Sequence, residues 1–275
     1  MKYLLIIAII IGIILLFWAR FISTSGLTVK EYTINSLKLK EFDGLKIVQF
    51  TDLHYGSTIH IKDLKNLIET INNQNPDVIV FTGDLVENQV VLTEKEVNDV
   101  IEEFKKLNSK YTTLAIKGNH DYDHTYFEDI TSKLNWNVLK NKYEYFYYNN
   151  SETPIVFVGL DDLLYGELDY KGAFSFNKEK DTDLYTIVLA HEPDQVDEFL
   201  DYDFDLVISG HSHLGQVRAP LIGAIYTPIG SKKYYEEHYK IKDADLYING
   251  GIGTSGLKLR FLNKPSISIY TFKTR

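Results

Sequence analysis

Five times along the chain, a short apolar run of strand character stops at a turn that carries aspartate, asparagine or histidine. Leu45–Phe50 is followed by Asp52-Leu53-His54, Val78–Phe81 by Gly83-Asp84, and Thr112–Ile116 by Gly118-Asn119-His120-Asp121. The runs at 184–190 and 205–209 are followed by His191 and by Gly210-His211-Ser212-His213. Val78–Phe81 is apolar throughout, which suits a strand buried on both faces. Open α/β sheets bind ligands at the carboxyl ends of their strands, so one arrangement can bring all five clusters together. Five of the eight histidines lie in them.

Helical patterns alternate with the strands. Ile61, Leu64, Leu67, Ile68 and Ile71 recur at helical spacing, and Asn75-Pro76 ends that helix. Thr93 with Glu96 forms a capping box that opens a second helix, with Val97, Val100, Ile101, Phe104 and Leu107 on one stripe. A short helix is expected over 126–134, and further strands near 154–159, 245–249 and 267–272. The pattern predicts a layered α/β domain with sheets inside and helices outside. No internal repeat and no low-complexity linker interrupts it.

The N-terminus stands apart. Tyr3 to Ala19 is 17 residues without a charge, flanked by Lys2 and Arg20. That gives roughly 25 Å of helix, enough to span a bilayer at the short end. Ile and Leu occupy every face, which argues against a buried helix of the globular domain. A signal peptide is the competing reading, but Ser23-Thr24-Ser25 is a poor cleavage site. We therefore expect residues 1–20 to be a single-pass membrane anchor. Residues 21–44 then form a juxtamembrane segment with a first strand, and 45–275 the folded domain. Basic residues at both ends of the span leave the side of the membrane open.

Taken singly, most clusters are weak. Asp-x-His can be a hydrogen-bonded loop, and Gly-Asp after a strand is more often a turn. Gly-His-Ser-His is the most specific, because two imidazoles on a tight turn suit a metal better than a core. Jointly, the clusters offer three oxygen ligands (Asp52, Asp84, Asn119) and four imidazoles (His54, His191, His211, His213). That is too many for one tetrahedral zinc. The set suits two divalent ions in mixed nitrogen and oxygen sites, of the kind taken by manganese, iron or zinc. The chain has no cysteine, which excludes a thiolate site and a cysteine nucleophile. Its 38 acidic against 29 basic residues also argue against nucleic acid as a partner.

Asp-x-His, Gly-Asp, Gly-Asn-His-Asp, a lone His and Gly-His-x-His, in that order, resemble the signature of the calcineurin-like metallophosphoesterases. The tail Asn249–Leu257 is similar to the membrane-associated bacterial phosphodiesterase branch of that superfamily. The resemblance implies a four-layer α-β-β-α sandwich around two central sheets. It also implies that Asp52, His54, Asp84 and His213 hold one ion, with Asp84 bridging to a second ion completed by Asn119, His191 and His211. His120 would sit beside the phosphate as general acid or transition-state stabiliser, and Asp121 would support the catalytic site from behind. The implied activity is hydrolysis of a phosphodiester or pyrophosphate, in a lipid-linked substrate, by attack of a metal-bridging hydroxide. An inactive scaffold and a nuclease of the same superfamily are the alternatives. One departure stands out: Ser212 and Leu214 replace the usual Thr and Gly, and Leu214 is expected to add bulk that alters substrate access.

The remaining features call for ordinary roles. His60, His124 and His238 lie outside the clusters and read as surface or capping residues. Tyr143–Tyr148 reads as an aromatic edge strand or hairpin. The stretch 161–183, with Glu167, Asp169, Glu179 and Asp181, reads as a loop or hairpin near the site entrance. Gly251 and Gly253 lack a following Lys-Ser or Lys-Thr and form no P-loop.

Overall fold

The computed structural model describes residues 1–178 and 184–274, so Glu179 and Asp181 lie outside the described residues. The chain opens with helix α1 (Lys2–Phe17), which runs on through a π-helical stretch, Trp18–Ile22. The combined 21 residues are long and apolar enough to cross a membrane, and only 6% of the apolar window is buried against the protein. Its Leu and Ile side chains are exposed, which is the opposite of what a core helix shows.

Two six-stranded sheets follow. The first contains β1 (Thr28–Ser36), β2 (Lys46–Phe50), β3 (Val78–Phe81), β4 (Thr112–Ala115) and β5 (Trp136–Val138). The second contains β6 (Lys142–Phe146), β7 (Ile155–Gly159), β8 (Thr186–Leu189) and β9 (Leu206–Ser209). Arg218–Ala219 (β10) and Gly223–Ala224 (β11) form a separate small hairpin. His238–Ile241 (β12) and Ala244–Ile248 (β13) complete the second sheet, and the chain returns to the first with β14 (Ser266–Thr274). The orders are β1-β14-β2-β3-β4-β5 and β12-β13-β9-β8-β7-β6. β2 through β5 run parallel, as do β13, β9, β8 and β7, so their carboxyl ends share one edge of each sheet.

Alternation along the strands explains the layers. On β3, Val78 and Val80 enter the core between the sheets, whereas Ile79 and Phe81 enter an outer core. β7 does the same, with Ile155 and Phe157 inward and Val156 and Val158 outward. Helices α2 (Ile61–Asn72), α3 (Glu94–Phe104) and α4 (Tyr126–Thr131) cover the first sheet through Leu64, Leu67, Val100, Phe104 and Phe127. The short helix α5 (Tyr170–Ala173) and the turn at Pro193–Glu198 cover the second with Ala173, Phe174 and Val196. This is the expected α-β-β-α sandwich.

Local expectations resolve in the same terms. Thr93 and Glu96 make the reciprocal capping bonds, 2.8 and 3.3 Å long. The aromatic run is edge strand β6, paired antiparallel with β7. In the described part of 161–178, Leu163 N–H donates to Glu192, next to His191, at 3.0 Å, while Ala173, Phe174 and Phe176 bury against the outer face of the second sheet. His60 caps α2, His124 packs on Tyr126, and His238, on the edge strand β12, bonds Asp245 of β13.

Candidate metal centre

The site lies where the two sheets present their strand ends together. Asp52, Asp84 and Asn119 follow the adjacent strands β2, β3 and β4, and His191 and His211 follow the adjacent β8 and β9. Beneath them the buried Gln49 ties the layers, its amide donating to Thr82 Oγ1 and to the Ser209 carbonyl of the facing sheet, each at 2.9 Å. The turns after β2, β3 and β9 are tight enough to force unusual backbone. Asp52, His54, Asp84, His211 and His213 all have positive φ, between 44° and 62°. Such residues cost about 1 kcal/mol or more each, strain that concentrates at functional sites. Gly83 (φ 98°) and Gly118 pack backbone to backbone, since a Cβ on Gly83 would lie 2.5 Å from the Gly118 nitrogen.

The side chains fall into two fully buried triads, Asp52-His54-His213 and Asp84-His191-His211, with the ligand atoms of each within 4.8 Å of one another. His54 Nε2 lies 3.1 Å from His213 Nε2 and 3.5 Å from Asp84 Oδ2, so Asp84 stands between the triads. His191 Nε2 reaches the same Asp84 oxygen at 3.3 Å. Backbone carbonyls set the tautomers. His191 Nδ1–H donates to Thr82 at 2.6 Å, and His211 Nε2–H donates to Ile229 at 2.7 Å. Each ring therefore turns its other nitrogen toward the centre, as an outer hydrogen bond does for a metal-binding imidazole. Burial, with the charge of His191, lowers His211 to about 3, and burial with the neighbouring His54 holds His213 well below its ordinary value. Both stay neutral, the form that binds a metal.

The donor set fits cations. Asn119 Oδ1 is buried with no hydrogen-bond partner, an arrangement that a buried acceptor tolerates only when something else satisfies it. Burial alone would push the His191 imidazole down, but Asp84 outweighs it and raises it well above its ordinary value, so the ring carries a proton where a cation would compete.

Residues 45–215 match the calcineurin-like phosphoesterase family. The chain belongs to that family. It is 37% identical over 261 residues to the metallophosphoesterase YkuE of Bacillus subtilis, covering 94% of this chain and 89% of YkuE. It is 26% identical to UDP-2,3-diacylglucosamine pyrophosphatase LpxG of Chlamydia trachomatis, covering 92% of this chain and 91% of that one. A transmembrane protein with metallophosphoesterase domain from Danio rerio is 29% identical over 86% of this chain and 55% of its own length. The protein is thus a metal-dependent phosphoric ester hydrolase, and its residue groups imply divalent metals.

In this phosphoesterase the catalytic candidates occupy different depths. His120 is half-buried at the mouth, with Nε2 3.4 Å from Ser255 Oγ. Burial lowers its basicity, yet Asp84 and Glu87 outweigh that and raise the imidazole to about 9. Asp121 faces away from the cleft. Its carboxylate accepts the backbone N–H groups of Asp84, Leu85 and Gly118 at 2.8–2.9 Å, so it positions the turns. Burial and then Asp84 raise it to about 7.

Two residues escaped the sequence reading. Glu87 lies 3.0 Å from His54 Nδ1 and 3.4 Å from His120 Nδ1, and its only sequence signal is its place three residues after Asp84. Arg260 is fully buried and donates to the Gly251 and Gly253 carbonyls behind His213, a role no local pattern announces. Leu214 corrects an expectation. It is 5% exposed and packs into the outer core of the second sheet, so its bulk does not enter the cleft. The penalty appears instead as a φ of 50° where glycine would be unstrained.

Proposed function

We propose that this phosphoesterase holds two divalent ions, drawn from manganese, iron or zinc, and hydrolyses a phosphodiester or pyrophosphate bond in a lipid-linked substrate at a membrane. Asp52, His54, Asp84 and His213 would hold one ion, and Asp84, Asn119, His191 and His211 the other. When bound, such ions supply Lewis acidity toward a phosphoryl oxygen and a water nucleophile at neutral pH.

The observation that carries the reading is the shape and lining of the cleft. A cavity of about 540 Å³ begins at Asp84, Asn119, His120, His211 and His213. Its other wall is apolar, with Val217, Ile225, Tyr226, Pro228, Leu257 and Leu259. A charged headgroup end and an apolar end in one cavity match an amphiphile better than a small phosphomonoester. LpxG, whose name specifies a diacylated nucleotide sugar, supports the same class, and the apolar N-terminal helix supports a membrane location.

The chain's own groups would divide the work. Thr82 and Ile229 fix the rings of His191 and His211, while Glu87 supports His54 and His120 together. His120, protonated at neutral pH and next to the cleft, would deliver a proton to the departing oxygen.

The test is a rate comparison on the full-length protein in detergent. Bis(p-nitrophenyl) phosphate, p-nitrophenyl phosphate and a nucleoside-diphosphate lipid would be assayed with Mn²⁺, Zn²⁺, Fe²⁺ and Mg²⁺ in turn. The lipid diphosphate or the diester should be turned over faster than the monoester. A preference for the monoester overturns the substrate class. Elemental analysis returning a single ion, unchanged by Asp84→Asn, overturns the shared pair.

A further inference from the structure

Among the described residues beyond the N-terminal helix, thirteen large apolar side chains are exposed. Five of them, Leu221, Ile222, Ile225, Tyr226 and Ile229, fall in the single segment 219–231, which contains no charged residue. β10 and β11 make that segment a hairpin, with Pro220-Leu221-Ile222 at its tip. Leu221 is 108% exposed at φ 65°, a turn position that in water favours Gly, Asn or Asp. An aliphatic tip in that conformation gains nothing from the fold. It gains only from something apolar outside it.

The hairpin's place identifies that something. Arg218 N–H donates to the Phe261 carbonyl at 3.0 Å, and the next residue back, Arg260, donates its N–H to the Ala19 carbonyl at 3.0 Å. One extended segment therefore separates the hairpin from the end of the apolar helix. Two more exposed leucines, Leu257 and Leu262, flank that segment, together with the exposed Lys258 and Lys264. The whole chain carries a net charge of −9, yet residues 219–231 and 246–264 contain no Asp or Glu. An apolar tip with flanking lysines complements an anionic lipid surface, and the neighbouring Glu236 carboxylate is paired with Arg218 at 2.8 Å.

We propose that the 218–226 hairpin enters the interface of the same bilayer that the N-terminal helix spans, giving the protein a second point of membrane contact. Ile225, Tyr226 and Leu257 both border the patch and line the cleft, so this contact would open the cleft mouth at headgroup level. The inference rests on the membrane reading given under Proposed function.

The chain lacks cysteine, so single-cysteine labelling is unambiguous. Leu221→Cys, Leu262→Cys, Ile10→Cys and Tyr147→Cys would each carry an environment-sensitive fluorophore. The full-length protein would be reconstituted into vesicles of phosphatidylethanolamine and phosphatidylglycerol. Nitroxide-bearing lipids, labelled either near the headgroup or near the bilayer centre, would serve as quenchers. Tyr147 is the aqueous control, because it follows β6 at the end of the sheet opposite the site. Retained hydrolysis of bis(p-nitrophenyl) phosphate shows that each labelled chain is folded.

The expected result is a blue shift and loss of emission at 221 and 262 with the shallow quencher, loss at 10 with the deep quencher, and neither at 147. Emission at 221 and 262 that matches 147, while 10 is quenched, overturns the hairpin contact and leaves the anchor standing. An unquenched label at position 10 overturns the membrane reading itself, and this proposal with it.

Discussion

Asp121 accepts the backbone N–H of Asp84 at 2.8 Å, and Asp84 in return accepts the backbone N–H of His120 at 2.9 Å. The two strand-end turns are thereby locked to each other by the carboxylates they carry. Asp121→Asn would replace one acceptor oxygen with an amide that points its own hydrogens at backbone N–H groups. The expected cost is about 1–3 kcal/mol, the penalty of a buried donor left unpaired. Thermal unfolding and metal content should both fall. A variant with unchanged stability and metal content would remove the positioning role.

Glu87 and His120 should be linked through protons. Glu87 itself is drawn down to about 2, since His120 and His54 outweigh its burial. Glu87→Gln removes a negative charge that keeps His120 protonated, so the His120 pKa falls. The alkaline limb of kcat/KM should move toward neutral pH, with metal content unchanged. An unshifted limb would separate Glu87 from proton transfer, and loss of metal would make it a ligand.

His120 and His213 should fail differently. His120→Asn is expected to lower turnover by roughly two to four decades, the range for a positioned acid, while keeping its metal. The deficit should grow as the leaving group becomes more basic, because an alkoxide needs the proton and a nitrophenolate does not. His213→Ala should lose metal and activity together. A uniform loss across leaving groups in His120→Asn would leave only electrostatic stabilisation of the phosphate.

The two sheets are also joined at their open edge. Glu237, just before β12, accepts a hydrogen bond from Lys30 at 2.7 Å and another from Tyr32, both on β1. Burial opposes ionisation, but these two donors outweigh it and hold Glu237 below its ordinary value. A depressed carboxylate contributes stability above its unfolded pKa and loses it as pH falls through the folded one. The Glu237 side chain is 44% exposed, so Glu237→Gln should cost only about 0.5–1 kcal/mol near neutral pH. The difference from the native protein should vanish in acid. A difference that persists there would assign the effect to packing.

Much of the site was legible because its signals are local. A ligand must be a particular side chain, and a strand end must turn, so Asp52, Asp84, Asn119, His191 and His211 announce themselves by type and place. Glu87 and Arg260 do not, because a carboxylate after a turn and an arginine in a basic tail have unremarkable surface readings. Leu214 was misread for a related reason. Its neighbour His213 faces the site, but on a turn with positive φ, adjacency in sequence does not fix which way the next side chain points.

By itself, the sequence determined the alternation of strand and helix, the donor types and the turns that carry them. These depend on covalent identity and on hydrophobic spacing within a few residues. The tertiary structure alone decided which lone pairs meet. His54 Nε2 stands 3.1 Å from His213 Nε2 across 159 residues of chain. That contact exists because Val80, Leu114, Ile187 and Ile208 bury themselves between two sheets and leave their strand ends facing one another. Apolar burial is not directional, so no stretch of sequence could specify it alone; the packing of both layers was needed to aim the rings.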